Sequence, residues 1–286
     1  MKKQRRWLTA AAIGAIFLLG LALLLYPSLS NYWNTVRQAK SILSYSDSVS
    51  KLQAEEQERL RAAAEGYNHA LLDRNSPYAL PEEMADDYAA ALLAEGSDVM
   101  CYLQIPALGV TLPVRHGTES ETLQRSVGHL EWSSLPVGGE STHCVLSGHR
   151  GLPSSELLTN IDRLERGDVF KLHVLGETLT YRVDRIAVVE PGDFSLLAVE
   201  EGEDFVTLLT CTPYGINSHR LLVRGTRVIS GASASEGGSL ELPNELKVYD
   251  GRLAALIGAS ALALVALPLA ALLARRRGRG GAACDV

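Results

Sequence analysis

Asp204-Phe205-Val206-Thr207-Leu208-Leu209-Thr210-Cys211-Thr212-Pro213-Tyr214-Gly215 is the stretch on which the fold turns. Asp204 to Thr210 is short, apolar and rich in residues that suit a strand. Cys211 ends the run. Pro213 removes a ladder donor and Gly215 permits a turn, so the strand must stop there. Arg220 to Val228 is a second run of the same kind. If the two pair, the loop between them returns Arg220 to the mouth beside Cys211.

The same pattern recurs on either side. Met100 to Ile105, Thr142 to Ser147, Val169 to Val174 and Thr178 to Val189 read as strands. Gly109, Gly138-Gly139, Gly167-Asp168, Gly176-Glu177 and Pro191-Gly192 punctuate them. Val174 to Thr178 looks like a hairpin turn. Ser154 to Arg166 is the one helical insertion expected, with Leu157, Leu158, Ile161 and Leu164 at helix spacing. Many short strands with few helices predict a mostly β domain, closed or sandwiched. Upstream, Asn31 to Gly66 reads as helix, Asp73 to Pro81 as irregular chain with two prolines, and Glu82 to Ala94 as a second helical piece ended by Gly96. Ser230 to Asn244 is rich in Ser, Gly and Glu and reads as a linker.

Two stretches are too apolar for a soluble surface. Trp7 to Tyr26 follows Lys2, Lys3, Arg5 and Arg6 and has the length that spans a bilayer. A cleaved signal peptide is the competing reading, but the run ends in Leu-Leu-Leu-Tyr-Pro, a poor cleavage context. Leu253 to Ala274 precedes Arg275, Arg276, Arg277 and Arg279. Basic flanks stay in the cytoplasm, so a two-pass membrane protein is expected, with both termini inside and the intervening chain outside the cell. The expected divisions are a basic end at 1–6, a span at 7–26, a helical region at 27–99, a β domain at 100–229, a linker at 230–252, a second span at 253–274 and a basic tail at 275–286. The net charge of -6 argues against nucleic acid as a partner.

Of four cysteines, Cys284 falls in the cytoplasmic tail, which leaves Cys101, Cys144 and Cys211 outside. Three is an odd number, so at least one outside thiol is free or pairs with another molecule. No pair has metal-ligand spacing such as Cys-x-x-Cys. A thiol at a strand end can face a cleft, and neighbouring cations favour its thiolate. Cys211 also reads as an ordinary buried core cysteine. His149, in Ser147-Gly148-His149-Arg150-Gly151, sits between glycines directly after an apolar strand and is favoured as acid or base. His116 and His129 also lie near glycines, and His143 and His173 lie within strands. Arg220 stays protonated at any working pH and can donate to an oxyanion.

Thr207 to Gly225 resembles the active-site segment of sortases, in particular the class C, pilus-assembling group. Leu146 to Pro153 resembles the same group's histidine segment. Ile105-Pro106, Leu112-Pro113-Val114, His116-Gly117-Thr118, Gly128-His129-Leu130 and Ser134 to Gly139 match in order, so that the resemblance covers about 67 to 229. It implies a sortase-type closed β-barrel with short helices, and a Cys211, His149 and Arg220 site. It implies cleavage of a Leu-Pro-X-Thr-Gly-like sorting signal through a thioester on Cys211, with His149 protonating the leaving glycine amine. A pilin lysine would then resolve the thioester as an isopeptide bond, with no metal or organic cofactor needed. The partners implied are pilin or surface proteins at a Gram-positive cell surface. The group also carries a lid, usually Asp-Pro-aromatic. Here it is Ser76-Pro77-Tyr78, within about 73–81. By resemblance Tyr78 would cover Cys211, while Ser76 lacks the charge that an aspartate would offer Arg220. Competing readings are a sortase that anchors proteins to cell-wall precursor, a cysteine peptidase, and a membrane-anchored binding module whose thiol is incidental.

Overall fold

The computed structural model describes residues 2–74 and 78–228. Its elements are α1 (Lys2–Lys51), α2 (Ala54–Leu72), α3 (Ala85–Ala90), β1 (Cys101–Ile105), β2 (Val110–His116), α4 (Ser120–Arg125), β3 (Val127–His129), β4 (Thr142–Ser147), β5 (Val169–Val174), β6 (Glu177–Val189), β7 (Asp204–Thr212) and β8 (His219–Arg227). The eight strands close in the order β1-β2-β3-β4-β7-β8-β6-β5. β2 with β3 and β4 with β7 are parallel, and the other neighbours are antiparallel. Closure leaves no free sheet edge.

Met100, Leu103, Ile105, Val114, Leu146, Phe170, Leu172, Leu208 and Val223 are buried in the main core. The strand alternation is plain in β7. Val206 and Leu208 join that core, while Leu209 joins a second cluster with Val145, Leu197 and Leu222 on the opposite face. Both faces of β7 are therefore covered, which is why it reads as a nearly continuous apolar run. Leu175 and Gly176, both at positive φ, make the β5–β6 hairpin turn.

Several elements depart from the sequence reading. Pro113, paired opposite Tyr102 in the middle of β2, reads as a strand breaker, and β3 is three residues long, so both strands escape pattern recognition. The expected helix from Asn31 to Gly66 is broken at Leu52 and Gln53 into α1 and α2. Ser154 to Arg166 is not an α-helix. Only Ile161–Arg163 forms a 3-10 turn, because its leucines are anchored individually in the core and not along one helix face. Glu82 to Ala94 contracts to a 3-10 turn and α3.

Trp33–Ser233 forms one compact unit, and the chain through Tyr32 belongs to another. The apolar N-terminal run continues as helix through Pro27 to Lys51. Among the described residues, Ala12–Lys51 is one helix long and apolar enough to cross a membrane, and its Ile13, Ile16, Leu19 and Leu23 are exposed. Such a helix suits membrane anchoring or a signal sequence. The second span expected at 253–274, the linker at 230–252 and Cys284 lie outside the described residues.

Candidate active site

β4, β7 and β8 lie side by side, and their register sets the site. Ser147 pairs with Leu209 at the end of β4. The ladder runs one step further, because the Gly148 N–H donates to the Leu209 carbonyl at 3.0 Å. Thr210 Oγ1 then donates to the Gly148 carbonyl at 2.8 Å. His149, the next residue, is thereby brought level with Cys211. On the other side Cys211 pairs directly with Arg220. Residues directly opposite in an antiparallel pair project from the same face, with Cα atoms about 4.5–5.5 Å apart. Imidazole, thiol and guanidinium thus occupy one row across three adjacent strand ends, on the face opposite the barrel core. All three are half-buried.

Among the described residues, no hydrogen bond or ion pair engages the Cys211 thiol or the His149 ring. Burial pulls the His149 pKa below its ordinary 6.5, so the neutral imidazole dominates at pH 7. Arg220 Nη1 donates to the carbonyls of Asn217 (3.3 Å) and His219 (3.1 Å), which ties the side chain to its own loop. No acidic side chain among the described residues pairs with it, so its remaining donors can serve an incoming oxygen.

Four of the other six histidines, His129, His116, His143 and His173, are held in structural contacts. His129 is buried, with Nε2 2.8 Å from the Ser134 carbonyl and Nδ1 3.1 Å from Tyr88 Oη. The Tyr88 hydroxyl also donates to the His129 carbonyl at 3.1 Å and accepts the Gly117 N–H at 2.9 Å. Burial drives the His129 pKa down to about 4. His116 packs edge-on to the same Tyr88 ring at 4.9 Å. His143 is held between the Ala198 carbonyl and Thr207 Oγ1, each at 2.8 Å. His173 stacks on Tyr102 at 4.4 Å. Cys101, Cys144 and Cys211 are all free, and the first two are buried. Burial raises both of those thiols' pKa, so Cys211 is the thiol of the three in reach of solvent.

Contacts of three residues around His149, which sequence reasoning did not single out, support the row. Arg150 Nη2 donates to Asp162 (2.5 Å) and Nη1 to Thr212 Oγ1 (3.3 Å), tying the loop after β4 to the end of β7. Gly148 leaves room for Leu158, whose Cγ would lie 2.7 Å from a Cβ at that position. Gly151, at φ +78°, lies beneath the Tyr214 ring. The signal for these was present in Gly148-His149-Arg150-Gly151, a loop too constrained for presenting one side chain alone.

Ser76 and Pro77 of the expected lid lie outside the described residues. The Tyr78 ring packs edge-on to Trp132 (5.4 Å) and tilted against Phe194 (5.3 Å). Trp132 and Phe194 touch each other at 5.7 Å and pack on the apolar patch that contains Leu209, Val145 and Leu222. Leu209 is two residues up-strand of Cys211 on the same face. Tyr78 therefore joins an aromatic roof on that patch. The chain holds only three Trp and four Phe, and two of these seven form that roof.

A closed β-barrel that aligns an accessible thiol with an imidazole and a guanidinium has the parts of a cysteine acyl-transfer enzyme. A family model described as Sortase domain matches residues 103–228. Sortase C1 from Streptococcus agalactiae is 43% identical, with a TM-score of 0.65 over 67% of this chain and 100% of that one. A sortase C from Clostridium perfringens, whose structure is described with the C-terminal cell wall sorting motif, is 42% identical, with a TM-score of 0.59 over 67% of this chain and 99% of that one. Sortase D of Bacillus subtilis is 30% identical over 129 residues, which span 44% of this chain and 62% of that protein. The chain belongs to the sortase family of cysteine transpeptidases, and its structural neighbours are class C sortases.

Proposed function

We propose that Cys211 is the nucleophile, His149 the general acid–base and Arg220 the oxyanion or substrate donor of a membrane-tethered transpeptidase. It cleaves a Leu-Pro-X-Thr-Gly-like sorting signal. The single observation that carries this is the row set by β4, β7 and β8. The neutral His149 imidazole accepts the Cys211 proton as sulfur adds to the threonine carbonyl. The oxyanion so formed lies on the Arg220 side of the thiol, where the guanidinium donates to it. His149 then returns the proton to the glycine amine, the C–N bond breaks, and a thioester remains on Cys211. A pilin lysine amine attacks that thioester and gives up a proton to His149, the thiolate leaves, and an isopeptide bond joins two subunits.

The pilin acceptor is supported by the Streptococcus pneumoniae sortase C neighbour, whose structure is described as bearing on pilin substrate specificity, and the sorting signal by the Clostridium perfringens relative described with the C-terminal cell wall sorting motif. The apolar helix within Ala12–Lys51 supports a tether at the membrane, with the second span at 253–274 completing a two-pass arrangement and the domain at 100–229 outside the cell. Tyr78 acts as part of a lid, with the aromatic roof of Trp132 and Phe194 as its seat.

The test is mass spectrometry of the full chain incubated with a sorting-signal peptide. A mass gain equal to the acyl fragment, mapped to Cys211 and absent from Cys211→Ala, is expected. Adding a pilin should transfer that fragment to a lysine. Transfer to cell-wall precursor alone would favour the anchoring role, and release to water whatever amine is present would mark a peptidase.

A further inference from the structure

From Trp33 onward α1 belongs to the same compact unit as the barrel, and it grips that unit through buried polar groups at two places. Asn34 and Gln38 are four residues apart and share one face of the helix. Asn34 Nδ2 donates to the Ser154 carbonyl at 2.8 Å. Gln38 Nε2 donates to the Arg125 carbonyl, at the end of α4, at 2.9 Å and to Ser155 Oγ at 3.3 Å. Further along the helix, Tyr45 Oη accepts the N–H of Leu175, in the β5–β6 hairpin turn, at 2.9 Å. Gln38, Tyr45 and Ser155 are all buried.

Ser154 and Ser155 belong to the loop that carries His149. Ser155 bridges back to Leu152, three residues after His149, with its N–H 3.4 Å from the Leu152 carbonyl. The loop thus leaves β4 at Ser147, presents His149, is tied by Arg150 to Asp162 and Thr212, and folds back on itself at a turn that α1 holds. A methionine in place of Gln38 would fill the same space. A buried amide, by contrast, costs free energy unless its hydrogen bonds are made. Those bonds are made only where Arg125 and Ser155 are both within reach of one side chain. Gln38 therefore fixes where the loop stands, whereas an apolar residue would only cover it. Tyr45 shows the contrast on the same helix. Leu175 lies beside Glu177, at the end of β6 opposite Val189, and it is Val189 that pairs with Arg220. That grip fastens α1 to the barrel but reaches nothing in the row.

We infer that Asn34 and Gln38 of α1 are positioning residues for the reaction, holding the turn behind His149 so that the imidazole stays level with Cys211. The inference rests on the proposed role of His149. The experiment uses the full chain in detergent with a sorting-signal peptide, and compares Gln38→Met, Asn34→Ala, Tyr45→Phe and His149→Ala with wild type. Initial thioester formation on Cys211 is followed by intact mass over a range of peptide concentrations, and thermal unfolding reports stability. Iodoacetamide alkylation of Cys211 at about pH 9, where a thiol ionises without help from an imidazole, reports whether the thiol itself is undisturbed. Gln38→Met keeps the volume and should unfold near the wild-type temperature, yet its limiting rate should fall about tenfold with KM unchanged. Asn34→Ala should lose rate in the same way, and alkylation of Cys211 should be unchanged in both. Tyr45→Phe leaves the Leu175 N–H without its acceptor, so it should unfold at a lower temperature while keeping the wild-type rate. Wild-type rates in both Gln38→Met and Asn34→Ala, a loss carried in KM, or an equal loss in Tyr45→Phe would overturn the inference, because α1 would then act through stability or binding alone. Alkylation that falls in step with the rate would overturn it too, since the disturbance would lie at the thiol. His149→Ala separates the two levels. If it keeps the wild-type rate, the reading of His149 fails; if it is slow while Gln38→Met and Asn34→Ala are not, only the brace fails.

Discussion

Gly148→Ala is a one-methyl change that tests how the row is held. The Gly148 backbone is pinned on both sides, through its N–H to Leu209 and its carbonyl to Thr210 Oγ1. A Cβ there would lie 2.7 Å from Leu158 Cγ and 2.8 Å from its Cδ1. Carbon atoms in contact sit about 3.5–4.0 Å apart, so the shortfall is about 1 Å. Leu158 is fully buried in the core and has little room to give. Overpacking of this kind costs about 1–3 kcal/mol, or a Tm loss of about 5 °C in a domain of this size. If the chain yields at Gly148, His149 moves with it, and a 1 Å misplacement of a reacting group can cost about a hundredfold in rate. The assay is thermal unfolding together with the burst rate of thioester formation. Leu158→Ala alone should cost about 2–5 kcal/mol by leaving a cavity. The double variant should be more stable than the sum of the two changes by about 1 kcal/mol or more, and should recover most of the rate. Wild-type stability and rate in Gly148→Ala, or strict additivity in the double variant, would refute the packing argument.

Other outcomes follow from the same geometry. With the His149 pKa held below 6.5 by burial, the imidazole accepts a proton above that value and is already protonated below it, so thioester formation should fall on an acid limb whose midpoint is under 6.5. A midpoint above 6.5 would contradict the assignment. Tyr78→Ala removes two ring contacts worth about 0.5–1.5 kcal/mol each, and a lid so weakened should raise initial cleavage by about tenfold. An unchanged or slower rate in a folded Tyr78→Ala protein would count against the lid. His129 is depressed to about 4, so the unfolded chain binds its proton first as pH falls. Its contribution is complete above 6.5 and is lost toward pH 4, by up to about 3 kcal/mol. Urea midpoints at pH 7 and pH 4.5 should therefore differ less in His129→Gln than in wild type, and an identical difference would sink this account.

The barrel was legible wherever a strand carried an apolar run long enough to cross it. β4 and β5 come out at the expected residues, and β7 and β8 within two. β2 was hidden because Pro113 sits where its missing N–H is tolerated, and β3 because three residues carry no period. The Ser154 to Arg166 segment misled because Leu157, Leu158, Ile161 and Leu164 have helical spacing yet reach the core from turns. At the site, the pairing of Cys211 with Arg220 was readable from two strands and a short loop. The place of His149 beside them was not, since it depends on a parallel pairing between distant strands. Neither was the seat of Tyr78, because Trp132 and Phe194 stand on loops with no pattern of their own.

That parallel pairing has a consequence for how the protein is made. Gly148 and Thr210 are 62 residues apart in sequence, and β5 and β6 lie between them. Closing so long a loop costs entropy before any rung rewards it, so such contacts form slowly. The six rungs from Thr142 with Asp204 to Ser147 with Leu209 must all be in place before His149 comes level with Cys211. An unfolded chain carries its thiol and its imidazole as strangers. The pair meets only when the barrel has closed, so reactivity is coupled to the completion of folding.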